Sequence, residues 1–173
     1  MNFEVRHTFD CDIATYERLF LDPGVANVLK VGMRQMQNVE LLEHEDKNGA
    51  VKRKVRYTPV PGHYKVGPKT VPAHWAVITE ESLFDRARHT MQFKNTPNIP
   101  AMLRERFHNT GRVELRDAGN GKTERVISGE IVVKIFLLGK IAERIIHKYG
   151  VELLDEEARV MQAHVLKETG KAA

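Results

Sequence analysis

The sequence is poor in the residues that staple a fold covalently or through metal. It has one cysteine, Cys11, in 173 residues, so no internal disulfide can form and the chain suits a reducing compartment such as the cytoplasm. No run approaches the ~20 apolar residues that span a bilayer. The first ten residues, MNFEVRHTFD, alternate polar and apolar where a secretion signal would carry an apolar block. There is no glycine-rich phosphate loop, no dinucleotide fingerprint and no G-x-S-x-G. The eight histidines are scattered, with none paired at H-x-x-x-H spacing and none set beside a cysteine at zinc spacing. Neither a metal nor a cofactor is expected. Cys11 stands near a helix start, which can activate a thiol, but a lone cysteine there also fits a small inert core residue.

Charge is present but mild, at +4 and spread along the chain. Two basic rows, Lys52/Lys54/Arg56 and Arg104/Arg106/Arg112/Arg116, fall on outward strand faces. They lack the interleaved aromatics that stack bases, so no nucleic-acid partner is expected. A solvated surface accounts for them, as does transient contact with an anionic membrane surface. Nothing in the pattern fixes an oligomeric state.

Periodicity carries the fold. Phe3, Val5, His7 and Phe9 alternate with Asn2, Glu4, Arg6 and Thr8, as in a half-buried strand. Asp10 or Asp12 offers an N-cap for a helix through IATYERLFL, which Pro23-Gly24 ends, and a second short helix follows. Strands are expected at 38–45 and 50–58, joined through DKNG, then at 75–85, 86–96, 102–117 and 123–136. From Leu138 to about Lys167 apolar residues recur at helical spacing, giving a helix of roughly eight turns. Gly150 interrupts it at a cost of about 1 kcal/mol relative to alanine, which suits either a bend or clearance for a ligand.

Residues 57–75, YTPVPGHYKVGPKTVPAHW, hold four of the seven prolines and the only tryptophan. No regular strand or helix is expected there. Neither side of it has elements enough for its own core, so the stretch is not a linker and residues 1–173 form one domain. A stiff flap, with Tyr64 and Trp75 packed at a pocket mouth, and an ordinary surface loop both fit.

This order predicts an α+β fold, a curved antiparallel sheet of about seven strands wrapped around the C-terminal helix. Side chains alone fill such a space poorly, so a ligand cavity is expected. On the inward faces, His89 sits with Met91 and Phe93, while Glu105 and Asn109 sit with Phe107. Ile145 and Tyr149 come from the helical stripe. The polar members either pair among themselves or hold the polar end of a ligand.

The element order resembles the helix-grip fold of the START-like (SRPBCC) superfamily, which implies a cavity for a hydrophobic ligand. The segments EESLFDRARHTMQFKNTPN and LRERFHNTGRVEL, with LLGKIAERIIHKYG, resemble the PRELI family of phospholipid-transfer proteins. Where that family has Tyr-Pro-Asn-Pro after its first helix, this chain has LDPGVANVL, so no phosphate-gripping residue is carried over. GEIVVKIFLLGKIAERII resembles bacterial START-like families. The expected function is binding or carriage of a hydrophobic or amphipathic small molecule, such as a lipid. The alternative is a small cyclase- or hydrolase-like enzyme with His89 and Glu105 as acid and base.

Overall fold

The computed structural model describes residues 1–62, 65–66 and 69–171. The first alternating stretch forms β1 (Asn2–Phe9). The Asp12 carboxylate then accepts the Thr15 N–H at 2.7 Å and starts α1 (Ile13–Leu21). After Pro23-Gly24 comes α2 (Val25–Gly32). β2 (Met36–Lys47) and β3 (Ala50–Pro59) make a hairpin, with both turn residues, Asn48 and Gly49, at positive φ as a two-residue turn requires.

The proline-rich stretch departs from expectation. It contains two short paired strands, β4 (Lys65–Val66) and β5 (Lys69–Thr70), followed by a 3-10 turn at Ala73–Ala76. Both strands occupy positions without proline, where the backbone keeps its ladder donors.

The sheet continues with β6 (Ile78–Asp85) and β7 (Thr90–Pro97). A single helical turn, α3 (Ala101–Arg104), precedes β8 (Phe107–Gly119) and β9 (Lys122–Val133). The chain closes with α4 (Gly139–Thr169). Seven strands pair in the order β1-β9-β8-β7-β6-β3-β2, antiparallel throughout, and α4 packs on β9, β1, α1 and α2. This is the expected α+β architecture. No helix among the described residues is long and apolar enough to cross a membrane.

Packing is concentrated at one end, where Phe9, Tyr16, Phe84, Met161 and Val165 are fully buried. Within that core Arg125 reaches across from β9 to α4. Its two Nη atoms donate to the two oxygens of Glu157, at 2.9 and 2.6 Å, and Nη1 also donates to the Tyr16 hydroxyl at 3.1 Å. His7, the polar residue on the apolar face of β1, lies 3.2 Å from Arg125 through Nδ1 and 2.9 Å from Asp155 through Nε2.

In the middle of the sheet two glycines pair directly, Gly111 on β8 with Gly129 on β9. Phe93 and Phe3 flank them in the same row. A Cβ on Gly111 would collide with the Ser128 carbonyl oxygen and the Phe93 ring, and one on Gly129 with the Thr110 carbonyl oxygen and the Phe3 ring. The missing side chains thus let two aromatic rings lie against the backbone at this row. Gly111→Ala is expected to destabilise the protein by about 1–3 kcal/mol, the usual cost of overpacking. Urea unfolding would show this as a lower midpoint with an unchanged slope.

Candidate functional site

Near its start α4 touches the sheet, where Glu143 accepts the Val133 N–H of β9 at 3.1 Å. Between the following turns of α4 and the sheet lies a cavity of about 1150 Å³, just above the ~300–1,000 Å³ usual for ligand pockets. The inward residues of β3, β6, β7, β8 and β9 form its floor, and Ala142, Ile145, Ile146, Tyr149 and Gly150 of α4 form its roof. A Cβ built on Gly150 meets nothing within 4 Å, so this glycine opens onto the cavity. Val60, Pro61, Val71, Pro72 and Trp75 from the proline-rich stretch line one end, together with Leu103 before β8 and Ile135 and Leu138 before α4. Between the last two, Phe136 and Leu137 are 87% and 80% exposed.

Of the residues expected to contact a ligand, Trp75, Met91, Phe93, Phe107, Asn109, Ile145 and Tyr149 line this cavity. Tyr64 lies outside the described residues. His89 and Glu105 do not line it, which corrects the strand reading of both. The chain turns before β7 begins at Thr90, and His89 takes a positive φ in that turn. Its ring hydrogen-bonds to the Glu17 carboxylate of α1, so it caps the outside of the packed end. Glu105 follows α3 as its C-cap and is exposed. The two stand near opposite ends of β7, roughly 20 Å apart at about 3.3 Å per residue, too far to serve one reaction as acid and base.

Other ionisable groups occupy the cavity in their place: Arg53, Glu80, Arg125 and Glu157, with Tyr57, Asn95 and Asn109. Arg53 is buried, with its guanidinium 4.5 Å over the Phe20 ring. It donates to the Phe20 carbonyl at 2.7 Å and to the Met91 sulfur at 3.5 Å, while its Nε has no partner. Among the described residues no carboxylate lies within ion-pair distance of Arg53.

Burial raises the Glu80 carboxyl above the usual glutamate range. The Arg53 charge pulls against this and the Glu157 charge adds to it. The Ser82 hydroxyl leans towards Glu80 without reaching hydrogen-bond geometry. Burial, and then the Glu80 charge, lift the Tyr57 phenol well above its ordinary value. Burial disfavours the charged form of Arg125, but the Glu157 carboxylate more than offsets this and holds the guanidinium firmly charged. Cys11 is buried, and its thiol is pushed up to about 11, by desolvation first and then by Asp12. That is the inert thiol of a core residue.

The family model described as "Protein of unknown function (DUF2505)" matches residues 4–165, nearly the whole chain. The chain belongs to this family. No curated protein matches the sequence. Among solved structures, the chain is similar to a norcoclaurine synthase point mutant from Thalictrum flavum in complex with a transition state analogue. The identity is 14%, the coverage 98% of this chain and 96% of that one, and the TM-score 0.68. It is also similar to Zhui aromatase/cyclase from a Streptomyces species (14% identity, 98% and 95% covered, TM-score 0.66). A third similar structure is TTHA0849 from Thermus thermophilus (15% identity, 97% and 99% covered, TM-score 0.66). At such identities the likeness is one of fold, and the fold is the helix grip.

In this DUF2505 protein Glu80 leaves a pH signature. An unfolded chain releases a glutamate proton near pH ~4.3, whereas folded Glu80 holds its proton to higher pH. The folded state therefore binds more protons between the two pKa values, and stability falls as pH rises through that window. Glu80→Gln is expected to melt at a higher temperature than wild type at pH 8, with the gap closing towards pH 4. Melting curves across that range would show it.

Proposed function

We propose that residues 1–173 act as one ligand-binding domain that holds and carries a hydrophobic or amphipathic small molecule between the sheet and α4. The cavity carries this reading. Its volume of about 1150 Å³ and its largely apolar lining leave a space that water fills poorly, because contact with water forgoes the gain from burying that surface. A lipid is one occupant that fits, in line with the sequence resemblance to the PRELI proteins.

Native mass spectrometry of the protein as purified from cells tests this, with a co-purifying apolar molecule as the expected result. A protein that is empty by mass spectrometry, by solvent extraction and in lipid-transfer assays would refute it. Gly150→Trp, which puts an indole into the open space over Gly150, should lose the co-purifying molecule while remaining folded. Gly150→Ala should keep the molecule and gain about 1 kcal/mol of stability.

Loading and release at an anionic lipid surface belong to the same reading. They are supported by the exposed Phe136–Leu137 pair, which lies between Lys134 and Lys140 beside the cavity-lining Ile135 and Leu138. The double change Phe136→Asp, Leu137→Asp should weaken co-sedimentation with phosphatidylglycerol vesicles and leave the bound molecule in place.

Catalysis on the bound molecule is the second reading. It is favoured by Glu80, a carboxyl in the cavity lining whose pKa burial raises, and by the enzymes among the structures of like fold. A substrate-dependent turnover lost in Glu80→Gln would support it.

A further inference from the structure

The cavity floor is not uniformly apolar. Glu80 on β6 pairs in register with Asn95 on β7. The pairing of Lys94 with Thr110 sets Asn109 of β8 beside Asn95. All three line the cavity, so a polar row crosses three adjacent strands. Apolar side chains flank it on both sides: Ile78, Pro97 and Phe107 towards the proline-rich stretch, and Met91, Phe93 and Val113 towards the packed end. The protein does not satisfy this belt itself, since Asn109 Oδ1 and the neighbouring Ser82 Oγ are buried without hydrogen-bond partners. Buried polar atoms left in this state point to a partner from outside the chain.

We propose that the ligand carries an uncharged oxygen function, a hydroxyl or a ketone, part-way along its length, and that Glu80, Asn95 and Asn109 receive it. The proposal rests on the reading of the cavity as a ligand site and specifies which ligands it takes. The make-up of the belt argues for a neutral group at this depth. Arg125 is committed to Glu157 through both Nη atoms. Arg53 donates to the Phe20 carbonyl and the Met91 sulfur and holds its ring contact with Phe20, on the strands beyond the belt towards the packed end. The belt itself holds no basic side chain, the other two arginines of the lining, Arg34 and Arg106, are exposed, and an ionised Glu80 would repel a carboxylate or phosphate. A side-chain amide both donates and accepts, so Asn95 and Asn109 can each meet either kind of partner. Such a set suits a hydroxyl or a carbonyl oxygen. A ligand with one charged head and a plain chain would leave the belt unsatisfied.

A matched pair of neutral probes tests this on the intact protein. Anthrone and dihydroanthracene share a tricyclic skeleton and differ by the ketone on the middle ring. Trp75, the only tryptophan, lines the cavity, so quenching of its fluorescence reports binding of either probe. Wild type is expected to bind anthrone about tenfold more tightly, a modest preference for one buried oxygen that finds its hydrogen bonds. The ratio should fall to near one in the double variant Asn95→Leu, Asn109→Leu, which nearly conserves volume. Equal affinities in wild type, a comparison that needs no variant, would overturn the proposal, as would a preference that survives the double change. If stearate binds while wild type does not distinguish the pair, the cavity reading stands and the belt proposal falls. If stearate and both probes all fail to bind, both fall together.

Discussion

The structure hangs on the fork between Arg125 and Glu157. It ties β9 to α4 at the point where the helix meets the sheet, and it draws in Tyr16 of α1 and His7 of β1. A guanidinium this deeply buried is tolerable only because the carboxylate matches both of its Nη atoms and the Tyr16 hydroxyl takes another hydrogen bond. Beyond that point Ala158, Met161 and Val165 pack into the core. Before it α4 roofs the cavity, and near its start Glu143 accepts the Val133 N–H of β9 at 3.1 Å. The cavity lies between these two attachments of the helix to the sheet.

Much of this arrangement could be read from periodicity. The alternation in NFEVRHTF and the long helical stripe after Leu138 gave element type and order, and with them the helix grip. Side-chain roles were harder to read, for identifiable reasons. Arg53 and Arg125 sit in basic or mixed-charge strands, KRKVRY and TERVIS, where neighbouring charges hide the inward position. Strict alternation with Val51 and Val55, or with Thr123 and Ile127, was the signal that placed them inside. Glu80 was obscured in the same way, as the first residue of the acidic pair EES. His89 and Glu105 were misplaced because strand periodicity was carried through a turn and through a single turn of helix. Local backbone geometry overrides alternation at both points.

The similarity to an aromatase/cyclase and a norcoclaurine synthase concerns the scaffold. A helix grip fixes where the cavity is and leaves its lining to individual strand positions, each of which can change without disturbing the ladder. The lining here is one polar row set between apolar ones. It also holds an arginine over a phenylalanine ring that has no carboxylate against it. These are properties of this chain's own residues, not of the fold it shares.

The open roof at Gly150 and the unfilled floor beneath it also matter volumetrically. If the cavity were dry, the void eliminated on unfolding would enlarge the volume decrease that pressure exploits, which is ~20–100 mL/mol in globular proteins. Unfolding under hydrostatic pressure therefore gauges the contents of the cavity directly. A protein with water or a bound molecule in it resists compression as an ordinary domain does, whereas an evacuated one would yield at pressures that leave most proteins untouched.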